Sequence, residues 1–182
     1  KYKNGGTYYY YNGYLHREND LPAIERTITL EKFEDNRIHY TYIKKKEYCK
    51  FNKLHRDNGL PAIERSDGHK EYWVNGECHR DNGLPAKELP NGTKYYYVRD
   101  KLHRENGLPA IEILNGNKKW FINGIEYNEK QAKFIHKIKL KKTKKILRKW
   151  YDITYEVGKK AFVKRMERDI NTLENEIGYH FE

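Results

Sequence analysis

The stretch LHRENDLPAIER, Leu15 to Arg26, returns as LHRDNGLPAIER at Leu54, CHRDNGLPAKEL at Cys78 and LHRENGLPAIEI at Leu102. One unit is therefore written four times. His55, His79 and His103 are 24 residues apart, a period that suits a small supersecondary unit stacked on its neighbours. Function in such a chain is expected on a surface rather than in a closed pocket.

Each unit carries the signals of antiparallel hairpins. Between Leu84 and Arg104, LPAKEL reads as a strand, Pro90-Asn91-Gly92-Thr93 as a turn, KYYYV as a second strand and Arg99-Asp100 as another turn. Two strands per repeat are expected. Asn75-Gly76, Asn115-Gly116 and Asn123-Gly124 are the pairs that tolerate the positive φ of tight turns. After each His-Arg the chain reads Glu18-Asn19-Asp20, Asp57-Asn58-Gly59, Asp81-Asn82-Gly83 and Glu105-Asn106-Gly107. Aspartate enters the left-handed region readily, so that conformation is predicted at Asp20, Gly59, Gly83 and Gly107. The first interval, His16 to His55, spans 39 residues. Its excess, near 27–46, reads as a longer projecting hairpin, either an insertion tolerated at a loop tip or an arm that grips a partner.

The pattern changes at Asn128, which with Gln131 has the form of an N-cap and capping box. Phe134, Ile135 and Ile138 open an apolar stripe, and Ile146, Trp150, Ile153 and Val157 continue it. After Gly158, Val163, Met166, Ile170, Leu173 and Ile177 follow at heptad steps. Two helices, or one with a kink, are expected. The predicted organisation is a repeat segment 1–127, with four full units and one partial, followed by a basic, heptad-patterned helical segment 128–182. The fold class is α+β: an elongated antiparallel β-meander of stacked hairpin repeats with C-terminal helices.

Net charge is +11, but residues 1–128 carry only +4 and residues 151–182 carry −2. The block 129–150 alone carries +9, which points to an anionic partner: nucleic acid, a membrane surface or an acidic protein. Its candidate contacts are Lys139, Lys141, Lys142, Lys144, Lys145, Arg148 and Lys149; a solvated lysine face is the plainer alternative. The hydrophobic fraction is 37% and the aromatic fraction 14%, so tyrosine takes over part of the usual aliphatic core. Cys49 and Cys78 fall at different repeat positions, which fits a reducing, cytoplasmic compartment better than a disulfide framework. No run of 18 apolar residues exists, so no transmembrane segment is expected. Lys1 in place of Met reads as a trimmed start.

The His-Arg-Asp triplets at His55 and His79 invite comparison with a kinase catalytic loop, but the asparagine that loop needs is replaced by Ala62 and Ala86. Equivalent histidines two strands apart sit roughly 9.6 Å from each other, too far to share one ion. Neither catalysis, cofactor nor metal is expected. His16, Arg17, His55, Arg56, His79, Arg80, His103 and Arg104 are read as a structural ladder in which each arginine pairs with the adjacent acid. Seven residues before each histidine lie Tyr9, Tyr48, Tyr72 and Tyr96. One residue later come Tyr10, Cys49, Trp73 and Tyr97, with Phe121 in the partial fifth unit. Alternation along a strand makes Tyr10, Trp73, Tyr97 and Phe121 a candidate interaction face, whether exposed or curled inward.

The units WVNGECHRDNGLPA and FINGIEYN resemble the MORN-like repeats (W-x-x-N-G-x-x-H-R-x-x-x-x-P-A) found in proteins of giant DNA viruses and in some bacterial and phage proteins. The likeness covers residues 7–127. It implies an elongated sheet of hairpins that acts as an interaction scaffold without catalysis, and it names no partner; the expected protein is viral, of the virion or host cytoplasm, and docks a protein or a second copy of the chain. The alternative is a nucleic-acid-binding protein that uses the basic helix and the aromatic face. The chain departs from the glycine-rich membrane-type MORN pattern, so lipid binding does not carry over.

Overall fold

The structure of the chain, a computed structural model, describes residues 5–154, and side chains as far as Leu147. The described residues form two compact units, 5–104 with 109–128, and 105–108 with 129–154.

In the first unit each repeat contributes four strands rather than two, all short except β4 and β5. They run β1 (Gly6–Tyr8), β2 (Tyr10–Tyr11), β3 (Tyr14–Leu15) and β4 (Ile24–Glu34); then β5 (Arg37–Glu47), β6 (Cys49–Lys50), β7 (Lys53–Leu54) and β8 (Ile63–Arg65). The third group is β9 (Lys70–Glu71), β10 (Trp73–Val74), β11 (Glu77–Cys78) and β12 (Lys87–Glu88). The fourth is β13 (Lys94–Tyr95), β14 (Tyr97–Val98), β15 (Lys101–Leu102) and β16 (Ile111–Glu112), before β17 (Lys118–Ile122) and β18 (Ile125–Tyr127). The outer members of each group join a ten-stranded antiparallel sheet in the order β1-β4-β5-β8-β9-β12-β13-β16-β17-β18. The inner two pair only with each other as a side hairpin.

The expected strand KYYYV therefore breaks in two at Tyr96. Its N–H donates to the Ala110 carbonyl just before β16 (2.8 Å), while its own carbonyl accepts from the His103 N–H (3.0 Å). Tyr9, Tyr48 and Tyr72 make the same two bonds, so each tyrosine is the corner where the chain leaves the sheet for the hairpin and its backbone groups stay satisfied. Ala23, Ala62, Ala86 and Ala110 face these corners and are wholly buried. Tyr48, Tyr72 and Tyr96 are buried as well.

Two turn types keep the ladder in register. Side hairpins close through two residues of positive φ, such as Asn75 (52°) and Gly76 (89°), the type I′ geometry whose twist matches antiparallel strands. Sheet hairpins after β8, β12 and β16 close through wider loops with one left-handed glycine, Gly68, Gly92 and Gly116, whereas β4 and β5 join through Asp35 and Asn36, both at positive φ. The predicted left-handed positions are found: Asp20 (53°), Gly59 (65°), Gly83 (63°) and Gly107 (67°). The preceding Asn19, Asn58, Asn82 and Asn106 share that conformation.

The second unit contains α1 (Glu129–Thr154), which begins directly after Asn128, where the capping signal lies. Its backbone carries Trp150 and Ile153; the heptad run from Val163 to Ile177 and the expected second helix lie outside the described residues. Ala132, Ile135, His136, Lys139, Thr143 and Ile146 form its covered face. Among the described residues no helix is long and apolar enough to cross a membrane.

Candidate interaction site

The histidines and arginines are absorbed by the ladder, though not with the partners expected. Arg17, Arg56, Arg80 and Arg104 lie flat on Tyr9, Tyr48, Tyr72 and Tyr96 at 3.5–3.7 Å from the ring centres. Each donates to the carbonyl of the proline five residues on. Each also pairs with the glutamate eight residues on: Glu25, Glu64, Glu88 and Glu112, at 2.8–3.2 Å. The adjacent acid belongs instead to the histidine, His55 Nε2 to Asp57 (2.9 Å) and His79 Nε2 to Asp81 (3.0 Å). The reason is the left-handed pair after the acid, which turns the chain back so that the Leu-Pro-Ala-x-Glu strand passes under the guanidinium. Tyr96 and Tyr48 close the module by donating their hydroxyls to Glu112 and Glu64. Burial, together with the Glu112 bond, pushes the Tyr96 phenol up to about 12. Asp20, standing where the other units have glycine, binds Arg56 with both oxygens at 2.7 and 2.8 Å; the hydrogen bond holds its carboxyl below the usual range.

Neighbouring units are joined by two alternating kinds of contact. At every junction the second turn residue of one side hairpin donates its N–H to the carbonyl just before the previous histidine: Asn52 to Leu15, Gly76 to Leu54, Asp100 to Cys78 and Gly124 to Leu102, at 2.9–3.0 Å. Where that residue is glycine, the N–H of the preceding Asn75 or Asn123 also donates to Nδ1 of His55 or His103 (3.1 and 3.0 Å). Where it is Asn52 or Asp100, its side chain accepts from the Leu15 or Cys78 N–H instead (2.6 and 2.8 Å). The buried Nδ1 atoms of His16 and His79 then have no protein partner, and His16 stacks on Phe51 at 4.7 Å.

The four aromatic candidates do not form one exposed face. Tyr10 is 62% exposed, whereas Trp73, Tyr97 and Phe121 are half-buried. Trp73 and Tyr97 flank Lys87, whose Nζ lies 5.4 and 5.6 Å from their rings and 3.2 Å from Glu71. Glu71 also accepts from His69 (2.8 Å) and Trp73 Nε1 (3.0 Å). Burial alone would raise this carboxyl, but these donors and the Lys87 charge outweigh it and hold it at about 2. Beside it burial pushes the Cys78 thiol up to about 12, and the Cys49 thiol to about 11, so both stay protonated and unreactive at neutral pH.

The exposed apolar surface lies elsewhere. The β4 and β5 strands pair from Ile24↔Glu47 out to Glu34↔Arg37, but β1 reaches only Arg26 and β8 only Lys45. The remainder projects as an arm closed by Asp35 and Asn36. Cross-strand register puts Phe33 with Ile38, Tyr40 with Glu31 and Tyr42 with Thr29 on one face. Phe33 is 70%, Ile38 55%, Tyr40 51% and Tyr42 70% exposed. The sequence announces the length of the arm, and period-two spacing of Phe33, Ile38, Tyr40 and Tyr42 about the turn is the signal for this face.

On α1, Lys141, Lys142, Lys144 and Lys145 are exposed while Lys139 is on the covered face; the side chains of Arg148 and Lys149 lie outside the described residues. No family model, curated protein or solved structure matches the chain.

Proposed function

We propose that the chain is a non-enzymatic repeat scaffold that mediates protein–protein interaction or assembly. The observation that carries the reading is the arm, which offers four large apolar side chains to solvent on one face while the repeated Arg and Glu side chains are spent on contacts inside each repeat. An exposed aromatic cluster of that kind is characteristic of surfaces that become buried on association. Likeness to the MORN-like repeats supports the same reading and suggests a viral setting, in a virion or host cytoplasm. The test is affinity capture from the cell that makes the protein, with Phe33→Ser/Tyr42→Ser beside the wild type. Specific partners should be lost from the variant while its far-ultraviolet circular dichroism is unchanged; an identical set of partners would sink the role given to the arm.

A second reading, nucleic-acid binding, is favoured by one observation: from Lys130 to Leu147 α1 carries no acidic residue, and its exposed lysines can neutralise phosphates. Fluorescence anisotropy with a mixed-sequence duplex and single strand across a salt series decides it. Steep salt dependence, abolished by K141E/K142E/K144E/K145E, would make this the leading function.

A further inference from the structure

Three turns of the first unit, at Asp20-Leu21, Gly59-Leu60 and Gly83-Leu84, form a row with exposed leucines, 44, 40 and 46% accessible. Between them lie two open grooves. The first, about 430 Å³, has Leu21 and Tyr48, and the second, about 530 Å³, Leu60, Trp73, Val74 and Leu84, set among mostly polar and charged side chains. Both are large enough to receive side chains of a partner. The exposed charges on the row include the acids Glu18, Asp57 and Asp81, of which Asp57 and Asp81 already bond His55 and His79 and Asp57 has the exposed Lys50 4.0 Å away; the neighbouring arginines are turned onto tyrosine rings and glutamates.

The fourth copy of this turn already lies against a helix, through its backbone at Gly107 and with Leu108 still 46% exposed. In the second unit Glu105–Leu108 packs on α1, so closely that a Cβ on Gly107 would sit 3.1 Å from the Lys133 Cα and 3.4 Å from the Ala132 carbonyl. A Cβ on Gly59 or Gly83 would meet nothing within 4 Å. Opposite its covered face, α1 displays Phe134 and Ile138 (63 and 42% exposed) and, one heptad on, Lys141 and Lys145. A heptad advances about 10.5 Å along a helix, and repeats two strands wide recur about every 9.6 Å. The two surfaces are commensurate.

We propose that the turn row binds the exposed stripe of α1 from a second copy of this chain. Phe134 and Ile138 together enter the first groove, and Lys141 and Lys145, one heptad on, meet Asp57 and Asp81 at the rim of the second. The inference rests on the scaffold reading and names its partner.

The test is sedimentation velocity of the full chain over a concentration series, with two double variants: Leu21→Asp/Leu60→Asp on the row, and Lys141→Glu/Lys145→Glu on the helix. All four positions are exposed, so folding should survive, and circular dichroism checks it. The wild type should associate, and each variant alone should weaken association at least about tenfold. An equimolar mixture should recover part of it, because the intact helix of one variant can use the intact row of the other. A monomeric wild type, or association untouched by either variant, overturns the proposal. In the second case the chain still assembles and the scaffold reading stands. Monomeric behaviour accompanied by steeply salt-dependent nucleic-acid binding would remove both.

Discussion

At the scale of single residues the fold is held by a side-chain module repeated in register, and its weakest substitutions can be named. Arg80 lies 3.5 Å over Tyr72, 2.9 Å from Glu88 and 3.2 Å from the Pro85 carbonyl. Arg80→Ala should cost about 2 kcal/mol in urea unfolding, and Arg80→Lys should restore less than half, since an ammonium cannot stack and fork at once. Glu71 gives a pH dependence. Its carboxyl is depressed in the folded state to about 2 from 4.5, so the stabilisation is complete above 4.5 and lost as pH falls toward 2. Glu71→Gln should remove about 2 kcal/mol of that acid dependence, visible as a flatter profile of unfolding free energy below pH 4.5. The left-handed turns were legible in Asn-Gly and Asp-Asn-Gly because few residues accept positive φ. The arginine partners were not, because the nearest acid in sequence is a decoy once the chain doubles back.

At the scale of elements, turns and junctions decide tolerance. Gly83→Ala and Gly107→Ala both put a Cβ at positive φ (63° and 67°), which costs about 1 kcal/mol. Only the second also drives it into the α1 backbone, so Gly107→Ala should be the more destabilising by thermal unfolding. Arg99 and Asp100 hold a type I′ turn with φ of 47° and 63°. Changing both to Asn-Gly should leave stability within about 0.5 kcal/mol, because the junction can switch to the histidine-accepting form. Asp100→Ala, which removes the acceptor for the Cys78 N–H and keeps a strained Cβ, should cost about 1–2 kcal/mol. The start of α1 could be read from its capping residues, and the length of the arm from the 39-residue interval. That each repeat has four strands could not, since the break at Tyr96 is set by two backbone bonds to His103 and Ala110, just outside β15 and β16, rather than by any residue that refuses the strand.

At the scale of the whole molecule, stability in the repeat unit is a sum over neighbours, as in other repeat proteins. Removing residues 79–102, which joins Cys78 to His103, should leave a folded sheet with a smaller urea dependence of unfolding, in proportion to the surface lost. A chain that failed to fold would show that the units are not interchangeable. The alternation of junctions bears on the same point. Each junction is closed by residues of two adjoining units alone, so folding energetics gives no reason for odd and even junctions to differ. Their strict succession, Phe51-Asn52, Asn75-Gly76, Arg99-Asp100, Asn123-Gly124, is what a chain lengthened by pairs of repeats leaves behind. Growth by pairs of repeats predicts that a longer chain of this kind shows the same two-step rhythm when its turn dipeptides are read in order.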